Sequence, residues 1–308
     1  MSETATDAQI QEALILSRIL ILVPFTVLVY EYLLTLEREV SMFWGIRLTW
    51  ASFFFYLNRY TSLFGTLPIL IQYYSTTTDP RKQPVCRILR GYHQYFALLS
   101  QVVVAAMLIM RTFALYQRSK PIMAFMLVVT FGVFVSALVI LFSGNDIDTL
   151  APNIAAFGCP EGTSRAKSLR LAGAWSGMLV FDIMIFFLTL ARAFKMNAAA
   201  RRGDLLTLLV RDGSIYFGLI VLINACNIGT YTMSGPFLRG GATTVTNAAS
   251  SVMISRLMFN IRDPELRRPH SNNTSGTARR LSSTEEPVIS TVSPYLTEEE
   301  YTQFEDVM

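Results

Sequence analysis

Three stretches of this chain, residues 91–110, 121–145 and 213–238, are 20, 25 and 26 residues long and contain no charged side chain. Each reaches or exceeds the ~20 residues that a helix needs to cross the hydrocarbon of a bilayer. Hydrocarbon offers no partner to a backbone N–H or C=O, so spanning segments are helices or closed barrels, and runs this long and continuous fit helices. Charged residues make up 16% of the chain, against roughly 25% in soluble proteins. Apolar runs predict seven spans, at about 13–36, 48–74, 88–111, 121–143, 169–191, 213–233 and 241–260. The expected fold class is therefore all-α, a polytopic integral membrane protein with a seven-transmembrane-helix bundle over residues 13–260.

The last span is the least apolar. Its sequence, ATTVTNAASSVMISRLMF, is rich in small and hydroxylated residues, which suits a helix packed against other helices; the alternative is a helix lying in the interface. Pro24 and Pro68 fall inside spans one and two, where they should bend or loosen the helix. Seven spans put the termini on opposite sides. With the N-terminus outside, thirteen Lys/Arg fall in inner segments and eight in outer ones, which favours N-out and C-in. Residues 1–12 then form a short extracellular N-terminus. Its acidic residues stand where a cleaved signal would be basic, so it reads as retained. Residues 261–308 carry twelve Ser/Thr between Ser271 and Thr302 and acidic clusters at Glu285, Glu286 and 298–300, the composition of a disordered cytoplasmic tail. Ser282, two residues after Arg279–Arg280, has the form of a basophilic kinase site there. Sequons at Asn272 and Asn273 would not meet the glycosylation machinery on that side.

Composition also excludes chemistry. Two histidines and three cysteines, well separated, are too few for a Cys/His metal site, so no metal and no cofactor is expected. The basic residues sit in short loops between apolar runs and set topology, so nucleic acid is not an expected partner; the lipid bilayer is.

Polar residues inside spans need partners, and each is a candidate site. Asn58 and Arg59 lie mid-span, with Arg59 ~17 Å above the inner end, Asp182 ~15 Å and Glu31 ~8 Å, counting 1.5 Å per residue. Arg59 is expected to be neutralised by Asp182 or Glu31, either as a packing pair or as a site coupled to a ligand or ion. Asn224, Asn227 and Tyr231 form a stripe at helical spacing in span six, Trp175, Asp182 and Thr189 another in span five, and His93, Gln94, Ser100 and Gln101 a third in span three. These faces either line a ligand cavity or bond helix to helix. Cys86 and Cys159 fall on the same outer side, as a bridge or as two free thiols; Cys226 is expected to be a packing residue. Arg111, at the inner end of span three, is either a coupling residue or a helix-end arginine reaching for the interface.

The segment 29–40 (VYEYLLTLEREV), then Trp44, then 55–60 (FYLNRY), resembles a large, mostly basidiomycete fungal family of multi-pass membrane proteins known as domain of unknown function 6533, over about residues 28–64. Residues 110–120 (MRTFALYQRSK) and 255–264 (SRLMFNIRDP) are similar to that family's third-helix end and closing segment. The resemblance implies a seven-helix membrane protein and no assigned activity. A looser likeness to seven-helix receptors rests on the placement of Cys86 and Cys159, on Arg111 and on the Ser/Thr-rich tail. Against it, Ile109 and Met110 precede Arg111 where an acid would stand, and span seven has neither an Asn-Pro-x-x-Tyr stretch nor the lysine that retinal requires.

Together these readings point to a receptor-like sensor of a small molecule in the plasma membrane, signalling through inner loops and tail to a cytoplasmic partner such as a G protein. The alternatives are a transporter or channel using Arg59, Asp182 and Glu31, although no duplicated half is present, and a non-catalytic scaffold. No catalytic residues are expected, because Asp182 has no second deep aspartate and His93 is isolated.

Overall fold

The structure, a computed structural model, describes residues 7–45, 48–75, 83–142, 159, 162–199 and 205–262. Of the expected tail, 261–308, the first two residues close the last helix, and the rest, including Ser282, Asn272 and Asn273, lies outside the described residues, as do residues 1–6. Every regular element among the described residues is a helix: α1 (Asp7–Phe43), α2 (Trp50–Gly65), α3 (Leu67–Tyr74), α4 (Gln83–Leu115), α5 (Lys120–Phe142), α6 (Arg165–Ala199), α7 (Leu205–Met233) and α8 (Thr243–Arg262). Of these, α1, α4, α5, α6 and α7 are each long and apolar enough to cross a membrane. The chain is a multi-pass membrane protein.

The expected second span is an interrupted rod made of α2 and α3. Pro68 has no N–H to give, and the Ile69 and Leu70 amides both bond the Thr66 carbonyl at 3.1 Å. Thr66 nevertheless keeps right-handed helical angles, so the two pieces abut. Its hydroxyl donates to the Ser62 carbonyl at 2.7 Å. Pro24, by contrast, sits within an unbroken α1.

The least apolar span becomes the most enclosed helix. α8 packs against α1, α2, α4 and α7, and thirteen of its twenty residues are buried. Short Thr, Ser, Asn and Ala side chains permit this close approach. Outward-facing apolar side chains gather instead on α1 (Ile19, Val23, Leu33) and α5 (Val128, Phe131, Val139). Such a surface suits contact with lipid and would be a liability in water. Cys226, expected to pack inside, is exposed on α7; the inward positions of that turn are taken by Asn224 and Asn227, and Cys226 lies off that face.

The two ends of the bundle differ. At one end an aromatic core stacks Phe43 on Phe55 with centroids 4.0 Å apart and sets Phe259 edge-on to Phe55 at 5.2 Å, with Met107, Leu108, Ile185 and Ile254 packed around them. At the other end a disulfide joins Cys86, at the start of α4, to Cys159 with Cα atoms 5.4 Å apart. Buried Gln72 of α3 clamps that cysteine twice, accepting from its N–H at 2.9 Å and donating to its carbonyl at 3.3 Å. Between α7 and α8 the chain turns at Gly240, whose φ of +74° suits glycine and whose absent Cβ would stand 2.5 Å from the Tyr231 ring. Gly240→Ala is expected to lower thermal stability by about 1–2 kcal/mol from the left-handed backbone alone, and further from the ring contact. A melting curve of the purified variant checks this; an unchanged midpoint contradicts it.

Candidate functional site

Helix α1 runs to Phe43, seven residues past the expected end of span one at 36, and so carries Glu39 into the bundle. Glu39 is fully buried. Its Oε2 lies 2.6 Å from Arg59 Nε, and its Oε1 accepts from the Tyr60 hydroxyl at 2.9 Å and the Trp44 indole at 3.3 Å. Arg59 also donates to the Tyr32 carbonyl at 3.0 Å, with its guanidinium carbon 4.9 Å from the Tyr32 ring centre and 5.5 Å from that of Phe259. The expected partners of Arg59 are therefore both corrected. Glu31 bonds Arg256 of α8, and Asp182 accepts from Asn224 Nδ2 at 2.5 Å. The sequence reading missed Glu39 because it placed that residue in a loop. Its signal was present, for Glu31, Thr35 and Glu39 recur every four residues and share one helix face.

Around α8 the buried polar side chains bond to one another. Asn58 donates to the Ser251 carbonyl and the Ser255 hydroxyl, both at 3.1 Å. Gln101 donates to Asn247 Oδ1 at 2.7 Å. Thr243 donates to Asn227 Oδ1 at 3.3 Å and lies 2.9 Å from the Tyr231 hydroxyl. At the last turn Arg262 donates to Ser52 at 2.9 Å and stands 4.2 Å from the Phe43 ring centre. Helices α1, α2, α4 and α7 thus all bond side chains of α8 or its backbone.

At the disulfide end the bundle opens into a cavity with ≈970 Å³ of empty space, the solvent at its open mouth included. Leu98, Leu171, Trp175, Met178 and Phe237 supply apolar wall, and His93, Gln94, Gln101, Tyr231, Thr243 and Thr244 supply polar groups. His93 Nε2 lies 3.2 Å from the Thr244 hydroxyl, so the polar stripes of spans three and six meet at the first turn of α8. Trp175 of span five lines this cavity, while Asp182 lies deeper in the bundle with Asn224. The segment between α7 and α8 roofs the cavity. Ser17 donates to the Phe237 carbonyl at 3.0 Å, the Thr163 amide to the Pro236 carbonyl at 3.0 Å, and Ser168 to the Tyr231 carbonyl. Arg239 donates from Nη1 to the Thr163 carbonyl at 2.8 Å and from Nε to that of Ser234 at 3.2 Å. Burial first, and then neighbouring Arg165, push its guanidinium below the usual value.

At the opposite end Arg111 is buried, with its guanidinium carbon 4.8 Å from the Phe217 ring centre and no carboxylate bonded to it among the described residues. No group of three or more His, Cys, Asp or Glu that could hold a metal ion occurs among the described residues.

Residues 19–64 match a family of unknown function (DUF6533). No curated protein and no solved structure matches the chain. The matched segment begins earlier than the expected residue 28 and comprises most of α1 with α2, the hairpin that holds Glu31, Glu39, Asn58 and Arg59.

Two substitutions separate the acids. Glu39→Gln leaves a buried guanidinium without its counter-charge and is expected to destabilise by about 3–5 kcal/mol. Asp182→Asn removes a charge yet keeps an acceptor for Asn224, and is expected to leave the melting midpoint unchanged or raised. Thermal melting in detergent or nanodiscs reads both, and the reverse order of effects contradicts the assignment.

Proposed function

We propose that the chain is a receptor-like sensor. The observation that carries this reading is the cavity at the disulfide end, walled by the first turn of the same helix, α8, whose last residue reaches the far ends of α1 and α2. In this reading the disulfide end faces outward, as a disulfide prefers an oxidising side, and the Arg111 end faces the cytosol in the plasma membrane, where loops and tail meet a signalling partner such as a G protein. A ligand acts by binding one packing of α8 better than another, since only differential affinity shifts such an equilibrium. Arg111 is proposed as a coupling residue because it is buried at that end without an acidic partner. No catalytic role is proposed.

A transporter or channel is the second reading, and Asp182 favours it: a buried carboxylate bonded to an amide, with no cationic partner among the described residues. Arg59 and Glu31 lend it less support, being held by Glu39 and Arg256.

The test fills the cavity. Compounds from a thermal-shift screen that stabilise the wild-type protein in nanodiscs are expected to lose their effect on Ala174→Phe, which melts close to wild type. The same compounds are expected to accelerate nucleotide exchange on a heterotrimeric G protein, and Arg111→Ala to abolish that acceleration while leaving binding intact. Stabilisation that survives filling contradicts the cavity. Current or uptake in proteoliposomes that disappears with Asp182→Asn replaces the sensor with the transporter.

A further inference from the structure

Among the described residues the cavity lining carries one formal charge. Among its lining residues no aspartate or glutamate occurs, and Arg239 at the roof is the single ionic group. Arg239 bonds two backbone carbonyls and no carboxylate. Arg165 lies close enough to oppose its charge, and likewise bonds a carbonyl, that of Thr232, at 2.6 Å. Arg239 thus stands at the rim with the exposed Arg165 near it but outside the lining, and neither has a carboxylate partner among the described residues. A guanidinium has five N–H donors in a planar fork, and the bonds to Thr163 and Ser234 leave part of that fork of Arg239 unused. Below the rim the wall turns apolar and aromatic, with Trp175, Met178, Leu98 and Phe237.

We infer that the cavity binds an amphipathic organic anion, its carboxylate on Arg239 beside Arg165 and its apolar or aromatic body against Trp175 and Met178. The positive rim selects by sign: an amine of the same shape would meet Arg239, with Arg165 near it, and no aspartate or glutamate among the described lining residues. A charge-assisted pair with arginine is both stronger than a neutral hydrogen bond and geometrically specific. The polar side chains lower in the cavity, His93 and Thr244, belong to α4 and α8, so a body long enough to reach them would touch the helix proposed to move. This inference rests on the cavity being a small-molecule site, and it adds the ligand's chemical class.

The test uses three probes of matched shape, naphthalene-2-acetate, naphthalene-2-acetamide and 2-(2-naphthyl)ethylamine, with the full chain in phosphatidylcholine nanodiscs, where no lipid charge selects among them. Thermal stabilisation is titrated for each. The acid is expected to stabilise at about tenfold lower concentration than the amide, and the amine not at all. Arg239→Gln is expected to erase the gap between acid and amide, the acid titration moving to that of the amide. Should that variant fail to fold, because its side chain also ties the roof to Thr163, Arg165→Gln serves in its place and is expected to narrow the gap several-fold. An acid no better than its amide, or a preference that survives both substitutions, overturns the anion assignment and leaves the cavity as a site. No stabilisation by any of the three overturns the assignment to an amphipathic anion of this shape, and leaves the sensor reading to the cavity-filling test above.

Discussion

A hydroxyl or amide surrounded by hydrocarbon has only protein to bond to, and this bundle depends on how α8 meets that constraint. Thr243, Thr244, Asn247 and Ser255 would make an unstable lipid-facing helix. Placed between α1, α2, α4 and α7, they find partners in Asn227, His93, Gln101 and Asn58. The short side chains that make α8 polar are also those that let four neighbours come close. Outer helices such as α5 show the opposite pattern, with large apolar side chains turned away from the bundle.

The hairpin of α1 and α2 is held to this hub by charge. Arg59 and Glu39 are both buried, and each is held by further groups: Tyr60 and Trp44 on the acid, Tyr32 and aromatic rings on the base. A pair closed in this way avoids the penalty of an isolated ion in low dielectric. Both halves of the pair lie within the matched segment 19–64. In the other half of the bundle packing gives way to a cavity, and the disulfide and the roof segment fix its rim.

Much of the architecture was legible in the sequence because hydrocarbon imposes length and hydropathy on each span directly. Spans three, four and five were placed within a few residues of α4, α5 and α6 at most of their ends. The composition of span seven signalled a packed helix, since small hydroxylated side chains suit close helix contact better than lipid. Partner identity was less legible. Arg59 has three acids within reach on depth alone, and the correct one lay beyond the expected end of α1, where the helix continues into polar sequence that hydropathy cannot distinguish from a loop. The charge at the rim was hidden for a different reason: Arg165 and Arg239 are far apart in sequence and read separately as topology-setting loop charges, whereas folding brings Arg165 near enough to act on Arg239 at the cavity.

The placement of α8 at the centre is the claim on which the hairpin, the cavity floor and the path between the two ends all rest. Hydrogen exchange of the full chain in nanodiscs tests it most directly, comparing amides of Thr246–Phe259 with those of α5. The account predicts that the α8 amides stay unexchanged as long as those of α5 despite their polar sequence, because both bonding and burial protect them. Exchange of α8 well ahead of α5, as a helix lying in the interface would show, contradicts it.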